Sequence, residues 1–135
     1  MFLLDTNILS NILRKAPDKS LMERLRASPP ETFFTSCICV MELRHGASRL
    51  RNGGQLWGRI QKEVLSRVSI LTVRFEEAVL AGDLLAHLRN TGTPVGVEDV
   101  LIGATALARS LTVVTDNVRH LRRIPNLRLE NWLRA

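Results

Sequence analysis

One stretch near the carboxyl end, residues 96–117, constrains the fold of this chain more than any other. Residues 100–108 carry no charge and favour or tolerate a helix, with Gly103 as the one weak helix former. Because this helix lacks a polar face, we expect it to be buried on most sides. Residues 112–115 follow as a short β-branched run, which is typical of a buried parallel strand. The pair predicts an α/β fold in which the helix lies against a sheet.

Apolar patterns along the rest of the chain predict the same alternation of strands and helices. Short apolar runs predict strands at residues 2–4, 32–36, 68–73 and 127–129, the last at a sheet edge. Apolar residues at helical spacing predict helices near residues 8–13, 21–25, 37–50, 56–65 and 76–88, with a break at residues 52–54. This order implies βαβ units and a mainly parallel sheet. The length fits one domain, residues 1–135, and is too short for two.

The charge balance suggests a polyanionic partner. The net charge is +6, and only Lys15, Lys19 and Lys62 are lysines, so arginine dominates. Arginine side chains match phosphate geometry, although a basic surface can also serve solubility alone. Tyrosine is absent and aromatic residues make up 4%, which excludes a stacking platform for single strands. Two groups of arginines are candidates for binding the phosphates of such a partner: Arg44, Arg49 and Arg51, and Arg119, Arg122 and Arg123.

No apolar run in the sequence is long enough to span a bilayer, and no signal peptide is visible, because Asp5 interrupts the first apolar run. We therefore expect a cytoplasmic protein without a membrane partner.

Four acidic residues occupy special positions in these predicted elements. Asp5 and Asp116 each end an apolar strand, Asp99 begins the buried helix, and Glu42 borders the apolar stripe of its helix. Ligands of a parallel α/β sheet bind outside the carboxyl ends of its strands, so these acids are expected to converge there. Clustered carboxylates repel one another, and a hard divalent cation would remove that repulsion. One or two Mg²⁺ or Mn²⁺ ions beside a basic surface indicate phosphodiester hydrolysis.

Each acid taken alone also has a simpler interpretation. Asp99 could cap its helix, with Glu98 placed in the first turn for the helix dipole. Asp5 could cap the helix after it, Glu42 could extend to water, and Asp116 could belong to a turn. Only the convergence of these residues favours a metal site.

Other kinds of site find little support in the sequence. Cys37 and Cys39 are interpreted as small buried hydrophobes, because they are too close to bridge each other. The three histidines, His45, His87 and His120, show no zinc-ligand spacing and are expected at the surface or as caps. Walker A and Gly-x-Gly-x-x-Gly motifs are absent.

Four short segments, taken in order and with their spacing, resemble the PIN-domain ribonucleases, and among them the VapC-type toxins of type II toxin–antitoxin pairs. The resemblance covers nearly the whole chain, and it implies a PIN-like three-layer α/β/α fold with a mainly parallel central sheet of four to five strands. The segments are Phe2-Leu3-Leu4-Asp5-Thr6-Asn7; Ser36 with Glu42-Leu43 and Gly46; Gly96 with Asp99, Leu101-Ile102 and Ala104-Thr105-Ala106; and Val114-Thr115-Asp116-Asn117.

The resemblance also implies which residues form the site. Asp5, Glu42, Asp99 and Asp116 match the four acids that bind Mg²⁺ or Mn²⁺ and are catalytic in that family. Asn7, Thr115 and Asn117 match its supporting polar residues, and Glu98 either shares the metal or caps the helix.

The implied activity is that of a metal-dependent endoribonuclease toxin, which cleaves structured RNA, tRNA among the candidates, and inhibits translation. The implied partners are a VapB-like antitoxin, the RNA substrate, and further copies in a homodimer or dimer of dimers.

Three alternatives stay open at this point. A PIN-domain nuclease of ordinary RNA processing would need no toxin role, and a non-catalytic RNA-binding or partner-binding module would need no metal. A phosphoaspartyl enzyme or receiver is disfavoured, because Asn7 stands where the former needs a second Asp and no lysine follows Lys62. The apolar residues of the first two helices and of the helix with Trp57 either form a groove for an antitoxin segment or belong to the core.

Overall fold

The computed structural model describes residues 1–134, and within them five short strands form one parallel sheet flanked by helices on both sides. The strands are β1 (Phe2–Leu4), β2 (Phe33–Ser36), β3 (Ser69–Leu71), β4 (Thr112–Val114) and β5 (Leu129–Glu130). The helices are α1 (Thr6–Ile12), α2 (Lys19–Ala27), α3 (Cys37–Ser48), α4 (Gly53–Arg59), α5 (Phe75–Asn90), α6 (Val97–Ala108) and α7 (Val118–Leu121). The prediction of a three-layer α/β/α fold with four to five strands is confirmed, and the sheet has five strands.

The first strand lies at the centre of the sheet. The strand order is β3-β2-β1-β4-β5, and all four pairings are parallel. In the register, Phe2 lies opposite Phe33 on one side and Thr112 on the other. Because β1 has neighbours on both sides, Leu3 and Leu4 are completely buried. The carboxyl ends of β1 and β4 therefore meet, and Asp5 and Thr115 lie side by side at this edge.

Helix α6 is buried as the uncharged sequence predicts. Residues Ile102, Ala104 and Ala106 are inaccessible to solvent, and so is Thr105, whose hydroxyl donates to the Leu101 carbonyl at 2.9 Å. The helix begins earlier than expected, because Gly96 is its N-cap residue. Asp99 therefore lies in the first turn rather than at the cap, and the simpler interpretation of Asp99 as an N-cap is wrong.

The segment between α3 and β3 also differs from its prediction. Gly53 begins α4 instead of belonging to a break, and the helix continues as a π-helical turn, Ile60–Val64, and a 3₁₀ turn, Leu65–Arg67. A Cβ atom at Gly53 would collide with the backbone carbonyl of Ala47. Glycine is therefore required for the close approach of α3 and α4 and does not interrupt a helix here.

The apolar residues of the first two helices belong mainly to the core. Ile8, Leu9, Leu21 and Ile60 are inaccessible to solvent or nearly so. Of the two alternatives left open by the sequence, the core therefore accounts for most of these residues, because their side chains pack with the sheet. No helix within residues 1–134 is long and apolar enough to cross a membrane.

Candidate active site

Asp5 is fixed at the end of the central strand by four donors. Its Oδ1 accepts from the Thr6 backbone amide at 2.8 Å, so Asp5 is the N-cap of α1. Its Oδ2 accepts from the Thr115 hydroxyl at 2.8 Å and from Asn7 Nδ2 at 3.2 Å. The fourth donor is the thiol of Cys39, whose Sγ lies 3.8 Å from Oδ1. The Asp5 side chain is almost fully buried, so it has little freedom to change its orientation.

The polar residues predicted to surround the acids form a connected network. The Thr115 hydroxyl accepts from the Asn117 backbone amide at 2.9 Å and from Asn7 Nδ2 at 3.3 Å. Asn7 Oδ1 in turn accepts from the Asp116 backbone amide at 3.0 Å. These bonds join the start of α1 to the loop after β4, and they hold the Asp5 carboxylate in one rotamer.

Glu42 reaches the same edge from α3. Ser36, the last residue of β2, caps α3 by accepting from the Ile38 amide at 3.0 Å, which directs the helix over the sheet. Glu42 Oε1 accepts from the Thr6 hydroxyl at 2.7 Å. One carboxylate oxygen of Asp5, one of Glu42 and the sulfur of Cys39 all lie within 4.8 Å of one another.

The negative charges of Asp5 and Glu42 act on Asp99. It is partly buried in the first turn of α6, and burial raises its pKa above the usual value. The negative charges of Asp5, Glu42 and Glu98 raise the pKa further, whereas His120 opposes the change. Glu98 itself is exposed and is not the cap of the helix. The carboxylates of Asp5, Glu42 and Asp99 are thus close enough to influence one another electrostatically.

Asp116 occupies a more open position than the other three acids. It follows β4 by two residues, and its side chain is exposed. Within residues 1–134 its carboxylate accepts no hydrogen bond that meets ordinary geometry, and only its backbone amide is tied to Asn7. The structure therefore places one oxygen each of Asp5 and Glu42 within 4.8 Å of each other. Asp99 is close enough for their charges to raise its pKa, and Asp116 stays on the solvent side.

No salt bridge within the described residues neutralises these acids. Among residues 1–134 the salt bridges are made by Glu63, Glu77 and Glu130, and none involves Asp5, Glu42, Asp99 or Asp116. Buried or half-buried carboxylates without a counter-ion are unfavourable. The oxygen donors match the ligands that hard divalent cations prefer. The acidic group of Asp5 and Glu42 could therefore hold a metal ion.

Three residues near the acids were not assigned to the site from the sequence. Thr6 orients Glu42, His120 lies close enough to Asp99 to affect its charge, and Cys39 touches Asp5. Burial raises the pKa of the Cys39 thiol to about 12, and the Asp5 charge acts in the same direction. The signal in the sequence was the spacing of Cys39 and Glu42, which are three residues apart on one helix and therefore share a face.

The six arginines proposed to bind RNA are all exposed. Two of them have structural contacts: Arg44 lies 5.1 Å from the centre of the Trp57 ring, and Arg123 donates to the Pro94 carbonyl at 2.9 Å. The other four, Arg49, Arg51, Arg119 and Arg122, make no side-chain hydrogen bond or salt bridge within residues 1–134. His45 and His87 are exposed, and His120 contacts Asn117 at 3.0 Å, so the prediction of surface or capping histidines is confirmed.

Comparison with known proteins identifies the family. The sequence pattern of the PIN domain matches residues 2–127. The chain belongs to the PIN-domain family. This PIN-domain chain is 33% identical over 132 residues to ribonuclease VapC2 of Rickettsia felis, covering 98% of both chains. It is 35% identical over 135 residues to the tRNA(fMet)-specific endonuclease VapC of Salmonella typhimurium, covering 97% of both.

Solved structures agree with the sequence relatives. The PIN-domain chain matches a chain in the crystal structure of VapBC2 from Rickettsia felis bound to a DNA fragment from their promoter. The TM-score is 0.88 at 32% identity, and the match covers 97% of this chain and 98% of that chain. The chain thus falls among the VapC-type PIN-domain ribonucleases, and the family predicted from the four short segments is confirmed.

Proposed function

We propose that this PIN-domain chain is a Mg²⁺- or Mn²⁺-dependent endoribonuclease that acts as the toxin of a type II toxin–antitoxin pair. The observation that carries the proposal is the group of carboxylates at the edge of the parallel sheet, which no cation of the described chain neutralises. Family membership supports RNA as the substrate, because the similar proteins are named ribonucleases.

The residues divide the work of holding the metal. Asp5 and Glu42 supply the two closest carboxylates, Asp99 adds charge from α6, and Asp116 contributes from the solvent side. When bound, such an ion would activate water and polarise a phosphoryl oxygen for in-line displacement. The products would carry 5′-phosphate and 3′-hydroxyl ends. Thr6, Asn7 and Thr115 hold the carboxylates in place, so little reorganisation is needed when the cation binds.

A structured RNA suits the surface around these acids. The basic groups are single arginines on exposed helix ends, and such side chains bind phosphates rather than stacked bases. A relative of 35% identity is named for tRNA(fMet), and we propose tRNA as the substrate class here, with inhibition of translation as the result of its cleavage. Arg49, Arg51, Arg119 and Arg122 are the strongest candidates for phosphate contacts.

A cognate antitoxin is the proposed partner, since the related chain was solved as a VapBC2 complex. Most apolar residues of α1 and α2 are in the core, so the proposed antitoxin contact is limited to those that still line a cavity at the surface. A cavity of about 520 Å³ remains between the end of α1, α2 and the π-helical turn. Ile12 and Met22 contribute apolar surface, and Arg14, Lys15 and Arg67 surround it. An amphipathic, acidic antitoxin segment fits this chemistry. The homodimer stays a prediction.

The decisive experiment is cleavage of purified tRNA by the isolated chain. Cleavage should require Mg²⁺ or Mn²⁺ and stop in EDTA, and Asp5→Asn should lose at least about a hundredfold in rate, because it removes a charged ligand without changing size. Asp83→Asn, an exposed acid on α5, should cleave like the wild type. Mapping the ends should show 5′-phosphates. Cleavage that persists in EDTA, or 2′,3′-cyclic ends, would overturn the proposal.

The toxin role needs a separate measurement in cells. Expression of the chain without an antitoxin should arrest growth, whereas Asp5→Asn should not. A wild-type chain that cleaves tRNA in vitro but is harmless at high expression would favour a nuclease of ordinary RNA processing instead.

A further inference from the structure

The acidic pocket contains one atom that its proposed hard cation does not explain. Cys39 is completely buried, and its sulfur lies 3.8 Å from Asp5 Oδ1. The same sulfur belongs to the group of three potential ligand atoms within 4.8 Å, together with one oxygen each from Asp5 and Glu42. The thiol donates to Asp5, so the sulfur is directed toward the carboxylates rather than into the apolar core.

The spacing of these atoms fits a metal centre with a thiolate ligand. An ion that holds sulfur at about 2.3 Å and a carboxylate oxygen at about 2.1 Å separates these two ligands by about 3.6–3.8 Å, at angles of roughly 110–120°. The distance between Cys39 Sγ and Asp5 Oδ1 already lies in this range. Glu42 shares α3 with Cys39, three residues later, so both ligands would move as one unit.

We propose that Cys39 is a third ligand of this pocket and that it admits a second class of cation, the thiophilic divalent ions represented by Zn²⁺ and Co²⁺. The inference rests on the proposed function, since it uses the same two carboxylates. Hard ions such as Mg²⁺ bind through oxygen and leave the protonated thiol aside. A thiophilic ion forms a metal–sulfur bond, and the thiol proton leaves to solvent as that bond forms. Cys39 thus sets which metals compete for the nuclease site.

Cobalt(II) is the probe for the first test, because a thiolate ligand gives it a near-ultraviolet charge-transfer band that oxygen ligands do not. Titration of the wild type should produce this band. Cys37→Ser should keep it, since Cys37 stands on the same helix but outside the ligand group. Cys39→Ser should lack the band while still binding Mn²⁺ by electron paramagnetic resonance, and its preference for Zn²⁺ over Mn²⁺ should fall about tenfold.

A second measurement avoids any dependence on how Cys39→Ser folds. X-ray absorption at the zinc edge of the Cys37→Ser protein, loaded with one Zn²⁺, should show a single sulfur at about 2.3 Å. A shell of oxygen and nitrogen alone would overturn the inference, as would a cobalt band that survives Cys39→Ser. If Mn²⁺ binds in a way that depends on Asp5 but no sulfur ligand is found, Cys39 is not a ligand and the proposed function is unaffected. If Mn²⁺, Co²⁺ and Zn²⁺ all fail to bind, both this inference and the proposed function are wrong.

Discussion

The hydroxyl of Thr115 makes more contacts in the site than any other neutral side-chain atom there. It donates to Asp5 Oδ2 and accepts from the amides of Asn117 and Asn7. Valine is similar in shape to threonine but cannot make these bonds. We therefore expect Thr115→Val to lower the free energy of unfolding by about 1–3 kcal/mol. Because Asp5 would also lose its orientation, cleavage should slow by at least about tenfold.

Thr105→Val is the matched control for this prediction. Thr105 is equally buried, but its hydroxyl bonds only to the carbonyl of its own helix. Thermal melting and steady-state kinetics should show a stability loss in both variants and a loss of kcat in Thr115→Val alone. Equal activity of the two variants would show that Thr115 has no positioning role.

The charge of Asp99 should reduce the stability of the metal-free protein. Burial and the neighbouring acids raise its pKa, so the folded state binds the proton more tightly than the unfolded chain does. The cost is absent below the ordinary aspartate pKa and complete above the raised one. We therefore expect Asp99→Asn to melt at a higher temperature than the wild type at pH 7 in EDTA, and the difference should vanish as the pH falls into the acidic range.

Manganese should reverse that order, because only the wild type keeps the full set of carboxylates to bind it. Melting curves with and without Mn²⁺ test this directly. If the Asp99→Asn variant is less stable than the wild type in EDTA at pH 7, the electrostatic explanation is wrong.

From the sequence, acids could be predicted at one edge of the sheet with Asn7, Thr115 and Asn117 around them, but other neighbours could not. Asp5 and Asp116 follow strands, and Asp99 lies near the start of a buried helix, so the topology of a parallel sheet predicts that they lie at the same edge. Cys39 and Thr6 could not be assigned in this way, because their roles depend on how α3 lies across α1. That crossing is set by side-chain packing, on which the linear pattern carries little information.

At the scale of elements, one buried carboxylate paired with two arginines joins three parts of the fold. Glu77 of α5 is inaccessible to solvent, and its carboxylate contacts Arg74 Nε at 2.8 Å and Arg109 Nη2 at 3.3 Å. Arg109 follows α6 and also donates to the Thr72 carbonyl after β3. The start of α5, the end of α6 and the end of β3 are therefore fastened together.

Glu77→Gln should weaken this junction by about 2 kcal/mol, less than for a fully buried pair, because Arg74 is half exposed. Burial opposes ionisation of Glu77, but the hydrogen bonds from Arg74 and Arg109 outweigh it and lower its pKa. The charged form therefore adds stability above the ordinary glutamate pKa, and this contribution is lost as the pH falls through the lowered value. Wild type and variant should converge in acid in urea-unfolding experiments.

Glu63→Gln supplies the comparison, since its pair with Arg59 is exposed on both sides. That variant should lose less than about 0.5 kcal/mol. A similar loss in both variants would mean that the Glu77 network contributes no more than a surface pair.

Element types were easier to predict than element boundaries. All five strands and the long helices could be predicted from apolar patterns. The faces of an element that are buried determine the spacing of its apolar residues along the sequence. The α3–α4 connection does not, since Gly53 was interpreted by its low helix propensity rather than by the space beside Ala47. A close backbone approach of this kind is a tertiary property and overrides local propensity.

The charge of the whole molecule predicts how RNA affinity depends on salt. With a net charge of +6, binding should weaken steeply as ionic strength rises. The double variants Arg49→Ala/Arg51→Ala and Arg119→Ala/Arg122→Ala should each lower the slope of log K against log salt by about 1.4–1.8, if each arginine contacts one phosphate.

Arg26→Ala/Arg89→Ala removes the same charge from exposed positions on α2 and α5 and serves as the control. Filter binding with the inactive Asp5→Asn chain gives the slopes without cleavage. Slopes that change equally in all three double variants would show that Arg49, Arg51, Arg119 and Arg122 contribute only general charge.

The central position of β1 also determines when a newly synthesised chain acquires its nuclease site. β1 leaves the ribosome before β4, and Thr115, which orients Asp5, follows Asp5 by 110 residues. At ordinary rates of translation this delay is about 5–20 s. During that time the growing chain carries Asp5 without the partner that holds it in place. Each molecule is therefore made in an incomplete state, and the site is complete only after Thr115 has joined Asp5.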